Sequence, residues 1–84
     1  MTPQQFRDAR TKLGLSARQL GLVLGFGADP GRIVRAYEAG DYAVSGPVRL
    51  GMRYLLKHGL DREARVTAGI EQPRKAKGEL VSAP

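Results

Sequence analysis

The chain has no cysteine, no tryptophan and a single histidine, His58. Without thiols neither a disulfide framework nor a thiolate zinc site can form. His58 has no cysteine beside it, and no Ser/His/Asp arrangement is suggested by spacing. No metal, no cofactor and no catalytic residue is therefore expected, and the chain does not read as an enzyme. A histidine just before a glycine fits the last turn of a helix, where its charge suits the dipole. Aromatic residues make up only 6% of the chain. They form no surface series of the kind on which single-stranded bases stack. No apolar run approaches the ~18 residues of a membrane span. The opening MTPQQFRDARTK has no hydrophobic signal core, so a cytoplasmic protein is expected. GFGADPG is glycine-rich but lacks the lysine and Ser/Thr of a phosphate-binding loop and follows no strand.

What the chain does have is a modest apolar content and a positive surplus. Its 84 residues, 42% of them apolar, suffice for one small core. The formal net charge is +6. Residues 1–58 carry nine Lys/Arg against four Asp/Glu, and residues 59–84 carry five against four. The excess thus sits on the part that should fold. A basic folded domain favours a polyanionic partner, although the same charge also serves solubility.

The punctuation predicts short helices. Thr2 with Gln5 fits a capping box and Pro3 suits a first helical position, giving a helix over 3–13 with Phe6, Arg10 and Leu13 on one face and Gly14 as its stop. Ser16 with Gln19 repeats the box. Leu20, Val23 and Leu24 form the second stripe, and Gly25 and Gly27 end it. A third helix starts near Asp29, a potential cap, and ends at Gly40. Its apolar positions are Ile33, Val34 and Tyr37. After the loop DYAVSGP, Pro47 opens a fourth helix with Val48, Met52, Leu55 and Leu56 on one face. Residues 61–68 form a short helix capped by Asp61. Beyond Gly69 the composition suits a flexible tail. No segment alternates like a strand, so the fold class is all-α: a compact four- to five-helix domain over 1–60, which the resemblance given below makes a helix-turn-helix domain. Residues 61–84 form a short helix and basic tail, a candidate dimerisation segment.

The third helix is the most informative element. With Ile33, Val34 and Tyr37 buried, Arg32, Arg35 and Ala36 face outward and Gly31 stands at the tip. A helix packed on one face and bearing guanidinium groups on the other suits the DNA major groove. Leu15-Ser16, Leu20, Leu24-Gly25, Val34, Tyr37-Glu38 and Gly40 together resemble the helix-turn-helix family of phage Cro and CI repressors and XRE-type regulators, over about residues 3–58. The chain departs from the family pattern at several places. Ala17 stands where the family commonly has glutamine, Gly21 where it has alanine, and Ala36 where arginine is frequent. The turn from Gly25 to Tyr37 is about three residues longer than in compact members. The loop after Gly40 reads Asp41-Tyr42 where a basic residue is common.

The resemblance implies a sequence-specific double-stranded DNA-binding regulator, a small homodimeric repressor or autoregulator of a phage or mobile-element operon. Expected base contacts are Gly31, Arg32, Arg35 and Ala36. Expected phosphate contacts are Ser16, Arg18, Gln19 and Tyr42, with Arg18 the stronger and Gln19 the weaker at the positive end of the second helix. The resemblance also pairs Arg10 with Glu38. Each charged side chain has a plainer alternative in a solvated face, and Ser16 in local capping. Arg49 and Arg53 fit backbone contact or solubility equally well. The basic PRKAKG stretch adds non-specific attraction or only solubility. Ile70, Leu80 and Val81 are candidates to dock on a partner subunit. The rival reading is a protein-interaction module on the same fold, an antitoxin or antiactivator.

Overall fold

Among the residues described there are five helices and no strand. The computed structural model describes residues 1–72. The helices are α1 (Pro3–Leu13), α2 (Ala17–Leu24), α3 (Pro30–Ala39), α4 (Gly46–His58) and α5 (Arg62–Thr67). None is long and apolar enough to cross a membrane.

Local chemistry accounts for most boundaries. Both capping boxes form: the Thr2 and Ser16 hydroxyls accept from the Gln5 and Gln19 amides, and each Gln carbonyl accepts from the cap residue's own N–H. α1, α2 and α3 end on Gly14, Gly25 and Gly40 at φ 72°, 78° and 82°, a left-handed conformation that L side chains resist. Two expectations need correction. Asp29 occupies the N-cap position of α3 but its side chain makes no capping hydrogen bond, because its backbone lies at φ −129°, ψ 73°. α4 starts one residue before Pro47, with the Ser45 hydroxyl accepting from the Val48 amide at 3.5 Å.

Phe6, Leu20, Val34 and Met52 form the fully enclosed centre, with Ala9, Leu15, Leu55 and Ala68 around them. Tyr37 bridges two layers, its ring 5.3 Å from Phe6 and 5.9 Å from Phe26. α2 and α3 pack chiefly on each other, α1 packs on both α3 and α4, and α5 closes against α2. Ala68, just past α5, belongs to the common core. Leu56, expected on the inner face of α4, is 37% exposed; Met52 and Leu55 take the inner positions, and Leu56 borders α1 at Asp8 and Lys12.

The chain after Gly69 is not loose where it is described. The Ile70 and Glu71 amides donate to the Arg65 carbonyl, which turns the chain back along α5. The Glu71 carboxylate then accepts from Arg65 Nε at 2.6 Å and from Arg62 Nε at 2.8 Å. These hydrogen bonds, Arg65 first, hold the exposed Glu71 carboxyl below its ordinary pKa. The PRKAKG stretch, Leu80 and Val81 lie outside the described residues.

Candidate nucleic-acid interface

The position of α3 is set first by two glycines. A Cβ built on Gly21, in the middle of α2, would overlap the carbonyl and ring of Pro30. At Gly31 a Cβ would stand 3.3 Å from the Arg18 amide nitrogen and 3.0 Å from Arg35 Nη1. The first turn of α3 therefore lies directly on α2. This corrects the expectation for Gly31. It is buried at the α2–α3 contact rather than open at a tip.

Close packing at this end also decides which stripe of α3 faces inward. Its inner stripe is Pro30, Gly31 and Val34, with Tyr37 and Glu38 completing it, rather than Ile33, Val34 and Tyr37. Ile33 stands about 100° around the helix from Val34. It is half-exposed and takes no part in the core cluster. Arg32 and Arg35 are exposed as expected. Together with Ile33, Ala36, Ala39, Asp41 and Tyr42 they line one shallow hollow on the outer side of α3. Sequence reasoning missed Ile33, Ala39 and Asp41 as members of this surface. The signal available was the i, i+4, i+7 spacing of positions 32, 36 and 39, two of them alanine.

Of the expected phosphate contacts, Ser16, Arg18 and Gln19 gather at the N-terminus of α2. Ser16 and Gln19 are engaged in the capping box, leaving the Ser16 O–H and the Gln19 amide N–H groups as donors. Arg18 is exposed, and its backbone lies beside Gly31, close to the guanidinium of Arg35. Tyr42 is 51% exposed and sits edge-on to Tyr37 at 6.2 Å, on the rim of the same hollow. Arg18 and Arg35 thus flank the α2–α3 junction, and Arg32 continues the basic face along α3.

The far end of α3 is braced by charge. Arg10 Nε and Nη2 donate to the two Glu38 carboxylate oxygens at 2.6 and 3.0 Å, a bidentate pair across α1 and α3. Arg10 Nη1 also donates to the Leu15 carbonyl at 3.1 Å. The sequence reading had not foreseen the second cation, Arg7, 3.5 Å from Glu38 Oε1. The Glu38 side chain is only 5% exposed. Burial pushes its pKa up, but the hydrogen bonds from Arg10 and then Arg7 prevail and hold it below the ordinary value. Its hydrogen bond, against the cost of burial, raises the Arg10 pKa in turn.

No family model, curated protein or solved structure matches this chain. What the surface can bind therefore rests on its own chemistry. Its outer helix offers guanidinium donors, small apolar side chains and a helix N-terminus, with Asp41 as the acidic member of the hollow. Arg49 and Arg53 are exposed one turn apart on α4, a separate element from this face.

Proposed function

We propose that this chain is a DNA-binding transcriptional regulator that inserts α3 into the major groove of double-stranded DNA. The observation that supports it most is the basic face formed where α2 meets α3. Arg18 on α2 and Arg32 and Arg35 on α3 are all exposed there, and α3 is anchored at both ends. Arginine donors match the paired acceptors of guanine O6 and N7, and Arg18 at the start of α2 suits a phosphate. An α-helix with its side chains is about 10–12 Å across, a width that the major groove, about 12 Å wide, accommodates, and α3 has ten residues to lay along it. Ala36 and Tyr42 border the same surface, as an apolar base contact and a phosphate contact. The role is one of binding rather than catalysis, in the cytoplasm, with repression or autoregulation as the outcome.

One α3 reaches only a few base pairs. A homodimer addressing two half-sites about 34 Å apart would give the needed length of readout. The test is fluorescence anisotropy against duplexes enriched from a random pool, repeated across salt. Neutralising six to ten phosphates predicts a loss on the order of 10³–10⁵ in affinity between about 50 and 200 mM salt. An enriched palindrome would establish the symmetry. Absence of binding to any duplex at low salt would refute the proposal.

The rival protein-interaction reading draws support from one feature. Leu50 and Tyr54 on α4 are 62% and 59% exposed, on a helix with no acidic residue. Salt-insensitive behaviour toward DNA would promote it.

A further inference from the structure

We propose that the outward face of α4 docks an acidic amphipathic segment of another protein, with apolar side chains seated on Leu50 and Tyr54 and carboxylates on Arg53 and Lys57. The face belongs to a different helix from the basic α3 surface, and the inference stands independently of the DNA-binding reading.

Leu50 and Tyr54 are the most exposed large apolar side chains among the described residues, and they stand one turn apart on α4. The core does not account for them, since Met52 and Leu55 fill the buried side of this helix. Together with Leu56, Arg53, Lys57 and His58 they line one open hollow, which shares no residue with the hollow along α3. The Tyr54 ring lies 4.5 Å from the His58 ring, a contact that steadies it along the helix. Single apolar side chains on a surface are ordinary, but a contiguous set rimmed by polar groups marks a protein contact. Here the rim has one sign. Arg53 and Lys57 are exposed, α4 contains no acidic residue, and none lines the hollow. Charge therefore decides between occupants. A second copy in a two-fold contact would meet this face with itself and set cations against cations. A phosphate backbone would satisfy the cations but leave Leu50 and Tyr54 in water. A segment with carboxylates around apolar side chains satisfies both at once. Tyrosine suits the anchor, because its ring gives a large contact area at low entropy cost.

The probe is a labelled helical peptide of about four turns, with leucine at i, i+3, i+4 and i+7 spacing and glutamate around it. Two companion peptides replace every glutamate by lysine or every leucine by alanine. Anisotropy titrations with the full chain should show saturable binding of the glutamate–leucine peptide and at least about fivefold weaker binding of each companion. Tyr54→Ala should weaken binding by about fivefold or more, the effect of losing one anchor. Lys57→Glu should weaken it by about two- to fivefold and improve binding of the lysine companion. Comparing the three peptides on the unaltered protein decides the matter even if a variant fails to fold. Replacing Arg32 and Arg35 by alanine should leave peptide binding intact. Equal binding of the glutamate and lysine peptides, or binding that is lost with Arg32 and Arg35 rather than with Tyr54, would overturn the inference. So would a dimer in sedimentation that Tyr54→Ala dissociates, which assigns the face to a second copy. Binding to phosphatidylserine vesicles but not to the peptide would assign it to a lipid surface and overturn the inference equally. Failure to bind the acidic peptide while duplexes still bind would remove this inference and leave the DNA-binding reading in place. Peptide binding without duplex binding would uphold it and refute that reading.

Discussion

Replacing Glu38 by glutamine tests whether α3 is held by charge. The substitution keeps size and one acceptor but removes the charge that Arg10 and Arg7 address. Breaking one side of a buried ion pair costs about 3–5 kcal/mol, while exposed pairs are worth about 0.2–1 kcal/mol. Glu38, at 5% side-chain exposure, lies near the buried limit, and Arg10, at 22%, lies between the limits. A loss of about 2–3 kcal/mol is expected, a large share of the stability of a domain this size, with a melting temperature lower by about 10–20 °C. Urea denaturation of Glu38→Gln, Arg10→Met and the double variant measures the coupling. The pH dependence has a definite sign. The folded pKa of Glu38 lies below 4.5, so its stabilisation is complete above the ordinary carboxylate pKa. It drains away as pH falls through the lower folded value. The difference between wild type and Glu38→Gln should thus be constant at neutral pH and shrink in acid. Arg10, its pKa raised further by the hydrogen bond to Glu38, keeps its charge throughout that range. Strictly additive losses, or a difference that grows in acid, would refute the bracing role.

Other substitutions probe the remaining contacts. Gly21→Ala should destabilise by about 1–2 kcal/mol, because overlap with the Pro30 backbone outweighs a helix-propensity gain of about 1 kcal/mol; a more stable variant in thermal melts would mean the helices do not approach this closely. Arg35→Ala should weaken binding to a selected duplex by about 1–3 kcal/mol and relax preference at one base position, whereas an unchanged anisotropy titration and base preference would remove it from the readout. Asp41→Asn should raise duplex affinity at low salt by about two- to fivefold and lose the effect at high salt, since one negative charge leaves the hollow; equal affinity at low salt would place Asp41 away from the phosphates.

How much could be read from the chain follows from how local each cause is. The boxes Thr2–Gln5 and Ser16–Gln19 act over three residues, so the starts of α1 and α2 were legible from spacing alone. Ser45 was legible on the same grounds but was overshadowed by Pro47, which sits one position later in the first turn. Arg10 and Glu38 lie 28 residues apart, and only the resemblance pointed to their pairing. The rotation of α3 was beyond pattern reading. Its inner face includes a glycine and a glutamate, residue types that hydrophobic periodicity assigns outward, while its most apolar side chain, Ile33, is half-buried and outside the core cluster. The return of Glu71 onto Arg62 and Arg65 was hidden for a related reason. A charged stretch after a short helix reads as tail until the turn at Gly69 brings opposite charges together.

The α2–α3 contact shows how two glycines set the course of a helix. Pro30 and Gly31 settle onto α2, and a missing side chain at positions 21 and 31 leaves room for that approach. At the other end of α3 the carboxylate of Glu38 lies on the inner side, where Arg10 and Arg7 meet it. A steric anchor at one end and an ionic anchor at the other thus fix which face of α3 is turned outward, with Arg32, Arg35 and Ala39 exposed on it. Gly21 and Gly31 are themselves buried. A substitution at Gly21 should therefore act on the seating of α3 against α2 without replacing any exposed side chain, and thermal melts of Gly21→Ala read that change as lost stability.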